Sequence, residues 1–323
     1  VTDETPSTSL HLVDPDLRDG LAAFPSFTLS DDLMPILRAQ GLATDQSPPM
    51  GPAAGVSFER IMVPGRDGAP DVPCHLFIPP DRNGLSGGYL HIHGGGYVLG
   101  DAAMSDPSNR SIAAALGVVV LSVDYRLAPE TRWPGAVEDC YAALGWLHAN
   151  AERLGIDPQR IAIGGESAGG GHTASLALVA RDRGEYPICH QHLIYPMIDD
   201  RTGSSEPALP FTGEYVWTAG SNAYGWSALL GHPAGTGEPP LHAVPARTDN
   251  LAGLPPTFIG TGALDLFVGE NLDYGRRLIA AGVPTELIVA PGAYHGFNGF
   301  APDAPVSRAF NEASLAALGR AIG

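Results

Sequence analysis

Ile161-Ala162-Ile163-Gly164-Gly165-Glu166-Ser167-Ala168-Gly169-Gly170-Gly171-His172-Thr173-Ala174-Ser175-Leu176-Ala177-Leu178 is the stretch that decides the fold. A short apolar run ends in glycines, a serine stands at the turn, and a helical pattern of small residues follows. G-x-S-x-G between a strand and a helix is a nucleophile elbow. The sharp turn strains the serine backbone, and glycines two residues to either side remove side chains that would collide there. Ser167 Oγ is therefore expected to be exposed above the sheet, at the positive end of the following helix.

From about residue 57 onward, strand and helix alternate. Apolar, β-rich runs lie at 74–78, 89–92, 118–123, 161–163, 192–195, 257–259 and 286–289. Helical patterns lie at 109–116, 136–154, 169–183, 270–281 and 305–321. In the clearest of them Val137, Cys140, Tyr141, Leu144, Leu147 and His148 share one face at 3.6-residue spacing. Runs that are apolar throughout, such as Val118-Val119-Val120-Leu121, suit strands covered on both faces. The pattern predicts an α/β fold of three layers around a mostly parallel sheet.

Two segments break the alternation. Residues 1–56 carry a weak helical signal at 31–39 and a tail, Ser47-Pro48-Pro49-Met50-Gly51-Pro52. Residues 199–250 are rich in Gly, Pro and aromatics and show no strand pattern. A loop that long in a compact domain is usually functional. Both are read as cap: 1–56 as an N-terminal cap segment and 199–250 as a cap insertion. The catalytic domain is then 57–198 with 251–323. For residues 1–30 a disordered tail is the alternative.

Composition narrows the function. A chain of 323 residues can bury one large core or two smaller ones. The formal net charge is −17, and all 18 basic residues are arginine. That balance argues against nucleic-acid and anionic-membrane partners. Without lysine there is no Schiff-base chemistry and no phosphate-loop lysine. No run approaches the roughly 18 apolar residues of a membrane span. The first residues are polar and acidic, unlike a signal peptide. Cys74, Cys140 and Cys189 are few, odd in number and without a C-x-x-C, so the cytoplasm is the expected location.

A serine nucleophile needs a base, a carboxylate to orient that base, and donors for the developing oxyanion. One known order along the chain is serine, acid, histidine. His295 fits the last place, in a turn-rich loop after the run at 286–289. Asp265 fits the acid, just beyond the run at 257–259. Glu270 and Asp273 are rivals, but they sit on a helical pattern and read as surface charges. His91-Ile92-His93-Gly94-Gly95-Gly96-Tyr97 follows a strand and supplies backbone N–H groups, with Ala168 N–H as a further donor. His91 and His93, two apart on a strand, could ligate zinc. No third ligand stands near them in the sequence, and His190 with His192 equally lacks a partner set. No metal and no cofactor is expected.

At these residues the chain resembles the bacterial hormone-sensitive-lipase family of α/β-hydrolases. His93-Gly94-Gly95-Gly96, Asp124-Tyr125-Arg126-Leu127-Ala128-Pro129-Glu130, Gly165-Glu166-Ser167-Ala168-Gly169, Asp265 and Tyr294-His295-Gly296-Phe297 stand in that family's order. The resemblance covers roughly residues 55–321 and is nearest to the heroin-esterase-like and acetyl-esterase branch. It implies the α/β-hydrolase fold, with a mostly parallel eight-stranded sheet, flanking helices and a helical cap. It also implies the catalytic residues Ser167, Asp265 and His295 and an oxyanion hole of Gly95, Gly96 and Ala168. His93 and 124–130 become structural braces, and a homodimer through the last strand and helix becomes possible. One departure is Glu166, where the family usually has Asp or Thr. It is read as a hydrogen-bonded buried carboxylate, the alternative being that it tunes the His295 loop.

The expected activity is that of a serine carboxylesterase acting on short- to medium-chain acyl esters, with small-molecule esters as its partners. Tyr97, Phe211, Tyr215, Trp217, Phe267 and Phe297 are expected to line an apolar pocket. An amidase with the same triad is the alternative. A noncatalytic receptor on this fold is a further one, although such receptors lack the histidine.

Overall fold

One eight-stranded sheet runs through the protein in the order β1-β2-β4-β3-β5-β6-β7-β8. The strands are β1 (Ser57–Val63), β2 (Val72–Ile78), β3 (Ser86–Ile92), β4 (Val119–Val123), β5 (Ile156–Glu166), β6 (His190–Ile194), β7 (Thr257–Gly262) and β8 (Thr285–Ala290). The helices are α1 (Arg18–Ala23), α2 (Met34–Gln40), α3 (Asp106–Leu116), α4 (Gly135–Ala149), α5 (Ala151–Leu154), α6 (Ala168–Arg183), α7 (Ala219–Leu230), α8 (Val268–Ala280), α9 (Phe297–Phe300) and α10 (Pro305–Ile322). This is a computed structural model, and it describes residues 9–23, 28–40, 55–80 and 84–323. The Pro/Gly tail at 47–52 lies outside the described residues.

Only the β1–β2 and β2–β4 pairs are antiparallel. Every other pair is parallel. The central strands β4, β6 and β7 are buried along their whole length, as strands covered on both faces must be. β1 escapes the sequence reading because it is an edge strand. Six of its seven residues are exposed or half-exposed, and Glu59 and Arg60 interrupt any apolar run.

Two cores flank the sheet. On one face α4 and α6 bury Val137, Leu144, Leu147, Leu176 and Leu178 against Leu90, Ile92 and Leu121. On the other, Ala113 of α3 and Leu318 and Ile322 of α10 pack on Phe77, Tyr89, Val120 and Ala162. Each fully buried aliphatic side chain stabilises the fold by about 1.5–3 kcal/mol. The helical pattern at 136–154 is broken in two at Asn150, whose side-chain N–H donates to Trp146 O at 2.9 Å.

The segments before β1 and between β6 and β7 are built into a shared cluster. Leu29 and Met34 pack with Tyr97, Val98, Trp217, Trp226 and Leu229. Arg38 of α2 donates to Val98 O at 3.0 Å, to Ala128 O at 2.7 Å and to Glu130 at 2.7 Å. α7 has few aliphatic residues to reveal its period, but Thr218 Oγ1 caps it by accepting from Ser221 N at 3.3 Å. Among the described residues no helix is long and apolar enough to cross a membrane.

Candidate active site

Ser167 sits between β5 and α6 with φ 56 and ψ −119. A serine with positive φ costs on the order of 1–3 kcal/mol, so the surroundings must hold it. They do: Ser167 N donates to Ile194 O at 2.9 Å, and Ser167 O accepts from Gly171 N and Met197 N. A Cβ on Gly169 would stand 2.0 Å from Ile92 O, so only glycine lets α6 press this closely against the end of β3. A second G-x-S-x-G, Gly84-Leu85-Ser86-Gly87-Gly88, leads into β3 rather than a helix and makes no elbow.

His295 Nε2 lies 3.0 Å from Ser167 Oγ, and His295 Nδ1 lies 2.8 Å from Asp265 Oδ2. A carboxylate can only accept, so Nδ1 carries the proton and Nε2 is free to accept from the serine hydroxyl. Asp265 is fully buried, and its Oδ1 accepts from Phe267 N at 2.9 Å. Both carboxylate oxygens are thus engaged. The two loops are tied together, since Ala263 N donates to Ala290 O and Leu264 N to Ala293 O. Tyr195 and Phe267 turn their ring edges on the imidazole at 4.8 and 5.2 Å.

The loop after β3 supplies donors. Gly95 (φ 123) and Gly96 (φ 61) turn the chain, and Gly95 O accepts from Val98 N and Leu99 N. The N–H groups of Gly95, Gly96 and Ala168 have no acceptor among the described residues. A Cβ on Gly96 would stand 2.1 Å from the Trp217 ring. Beneath the loop, His93 stacks on Tyr125 at 4.2 Å, and Tyr125 Oη donates to His93 O at 2.9 Å. Arg126 forks onto Asp139, and Asp139 also accepts from Arg126 N.

A cavity of about 330 Å³ opens on Ser167 and His295. Trp217 lines it. The other five aromatics expected there do not: four are turned into packing and Phe211 points toward the surface. Tyr97 is buried under the glycine loop, with its hydroxyl donating to Met197 O at 2.7 Å. Phe267 and Phe297 are fully buried, Phe297 against Phe310. Tyr215 packs on Tyr294, and Phe211 is about half exposed beside His11. Tyr195 and Val216 line the cavity instead; their positive φ values (34 and 63) belong to a backbone path that sequence patterns do not disclose.

Glu270 also corrects the reading. It is buried, not a surface charge, and accepts from Ile198 N at 2.7 Å and Asp199 N at 3.2 Å. Burial, with Asp199 nearby, pushes its carboxyl well above the usual range. Asp273 is a surface charge, paired with Arg276. Glu166 accepts from His91 Nε2 at 2.9 Å and keeps 34% of its side chain exposed, so it is hydrogen-bonded but only partly buried. His91 Nδ1 faces Ser122 Oγ and Asn109 Nδ2.

Burial pushes four histidines far down: His93 to about 4, His172 to about 3, His190 to about 4, and His192 well below its usual value. Unfolded, each would titrate near 6.5. Between those values the unfolded chain binds protons that the folded chain refuses. The histidines' contribution to stability is therefore full above about pH 6.5 and falls on acidification toward pH 4, with a slope approaching about 1.4 kcal/mol per pH unit for each histidine. The single carboxyl of Glu270 opposes it with a slope of opposite sign, smaller than that of the four histidines together. Urea midpoints should drop steeply from pH 7 to pH 5, and His172→Gln should lessen the slope. Equal midpoints at the two pH values would contradict this origin.

The model of the alpha/beta hydrolase fold family matches residues 89–299. Over 325 aligned residues, 96% of each chain, the sequence is 35% identical to carboxylesterase NlhH of Mycobacterium tuberculosis. The chain belongs to the α/β-hydrolase fold family. Its structure superposes on a bacterial heroin esterase with a TM-score of 0.86 at 37% identity, covering 98% of this chain and 100% of that one. Esterase LipW from Mycobacterium marinum superposes with a TM-score of 0.84 at 31% identity, covering 98% of both chains. The eight-stranded, mostly parallel sheet is the fold that the five motifs implied.

Proposed function

We propose that this protein is a serine carboxylesterase acting on short- to medium-chain esters. The observation that carries the reading is the Ser167–His295–Asp265 chain, with contacts of 3.0 and 2.8 Å, at the mouth of a cavity. Ser167 Oγ attacks the ester carbonyl while His295 Nε2 takes its proton. The oxyanion sits against the N–H groups of Gly95, Gly96 and Ala168, where one such donor is worth on the order of 3 kcal/mol. His295 then protonates the departing alcohol, and water, activated by the same imidazole, frees the acyl group. Asp265 holds the imidazole in the productive tautomer throughout.

In this reading the cap is the N-terminal segment 1–56 together with 199–250, supported among the described residues by the packing of Leu29 and Met34 on Trp217 and Trp226. A location in the cytoplasm fits three free thiols, which burial pushes up to about 12 for Cys74, well above the ordinary value for Cys140 and up to about 11 for Cys189. A homodimer through β8 and α10 rests on the family resemblance and on the open edge of β8.

The test is an acyl-length series of nitrophenyl esters. A cavity near the lower end of ligand-pocket volumes should favour acetate to hexanoate over palmitate by about 100-fold or more in kcat/KM. Comparable rates on palmitate would defeat the size argument. Faster cleavage of matched anilides than of esters would make the protein an amidase.

A further inference from the structure

The cavity does not stop at the catalytic serine. From Ser167 it descends along one face of the sheet, between α3 and α10, as far as Ile112 and Leu318. Tyr89 on β3, Glu166 on β5 and His192 on β6 face this lower compartment. The strand register places Tyr89 opposite Ala162 and His192 opposite Gly164, well below the carboxyl ends of the strands. Gly164 leaves the floor open, since a Cβ there would stand 2.4 Å from the Tyr89 hydroxyl.

The polar character of this space is one-sided. Among the described residues Glu166 is the only carboxylate in the cavity wall, and no arginine lines it. His91 Nε2–H occupies Oε2 of Glu166, and Oε1 has no hydrogen-bond partner among the described residues. Burial drives the His192 pKa far down, so that ring brings no positive charge. The Ser108 and Ser111 hydroxyls donate to Ser105 O at 3.0 Å and Pro107 O at 2.9 Å, so only their lone pairs remain for a ligand. Tyr89 and Phe310 add aromatic faces, which attract organic cations.

We propose that the compartment between α3 and α10 is a selectivity site for a protonated amine, with Glu166 as its counter-charge, so that the preferred substrates are esters carrying an alkylammonium group. The proposal rests on Ser167 being the nucleophile, because the amine is held by the half of the ester that descends from it. Glu166 is a positioning residue in this account. It touches the remote charge and not the reacting carbonyl.

The experiment compares isosteres. On the alcohol side, 2-(dimethylamino)ethyl butyrate is set against 3-methylbutyl butyrate. On the acyl side, ethyl 4-(dimethylamino)butanoate is set against ethyl 5-methylhexanoate. At low salt the cation should be preferred on one of the two sides by roughly 30-fold in kcat/KM, the size expected for unit charges several ångströms apart in a partly screened site. Glu166→Gln should bring that ratio to within about threefold, each variant being its own reference through the neutral ester. Should Glu166→Gln fail to fold, Asn311→Lys, which sets a cation in the α10 wall, should abolish the preference. A ratio near one on both sides in the unaltered protein overturns the proposal, and so does a ratio that survives both substitutions.

Calorimetry separates this failure from a failure of the catalytic reading. 3-Methylbutylammonium should bind more tightly than 3-methylbutanol whether or not any ester is hydrolysed. Equal binding sinks the compartment. Absent turnover of neutral and cationic esters alike, with the cation bound more tightly, sinks only the nucleophile assignment.

Discussion

Ser167→Ala should lower kcat on nitrophenyl butyrate by about 10⁴- to 10⁶-fold and leave KM within a small factor. The size follows from what the hydroxyl does. In the proposed mechanism it is the one atom that forms a bond to the acyl group, and its loss removes the covalent route altogether. The residual rate is that of water attacking an ester held against the Gly95, Gly96 and Ala168 donors. The fold tolerates the change, because Ser167 holds its turn through backbone bonds to Ile194, Gly171 and Met197. Adding His295→Ala to Ser167→Ala should cost little more, since the base has no proton left to take. A fluorophosphonate should label the unaltered chain at Ser167 and leave the variant unlabelled. Retention of more than about 1% of the activity in a clean preparation would rule out Ser167 as the nucleophile.

Asp265→Asn is the second large effect, a fall in kcat of about 10³- to 10⁴-fold. The side chain keeps its volume in a fully buried site, so folding is little disturbed. Its hydrogen bonding is another matter. Asp265 accepts two N–H groups, Phe267 N at 2.9 Å and His295 Nδ1 at 2.8 Å. An amide has one accepting oxygen for these two donors. If that oxygen serves Phe267 N, the amide NH₂ faces His295 and turns the imidazole to the wrong tautomer, with its proton on Nε2. That nitrogen can then no longer accept from Ser167. If the oxygen serves His295 instead, the Phe267 N–H meets a donor and the loop shifts. Steady-state kinetics on one ester read the loss. A decrease smaller than about 30-fold would transfer the orienting role to another carboxylate.

Local chemistry makes much of this site legible in the sequence. A serine in a strand–turn–helix elbow and a glycine loop after a strand are backbone devices, and backbone devices leave short signatures. Asp265 and His295 were readable because each directly follows a strand of the parallel sheet. Packing direction was not readable. Tyr97, Tyr215, Phe267 and Phe297 pack into the protein instead and Phe211 stays half exposed, and a one-dimensional pattern does not say which way a ring in a loop will turn. Glu270 read as a surface charge because its helix is amphipathic, yet it reaches back to the backbone of 198 and 199. The bond between Glu166 and His91 crosses from β5 to β3 and exists only once the strand register is known. β1 was missed for the opposite reason. An exposed edge strand is held by its ladder to β2 and needs no apolar run.

The Trp217 ring lies where a side chain on Gly96 would be. One segment therefore lines the cavity and also packs against the glycine turn. Exchanging residues 199–250 for the matching stretch of a relative would change more than the range of esters accepted. Turnover of every ester would shift with it, because the incoming segment would bring its own wall to the glycine turn. Selectivity and speed in this scaffold are inherited together, and a breeder of new variants would have to select for both at once.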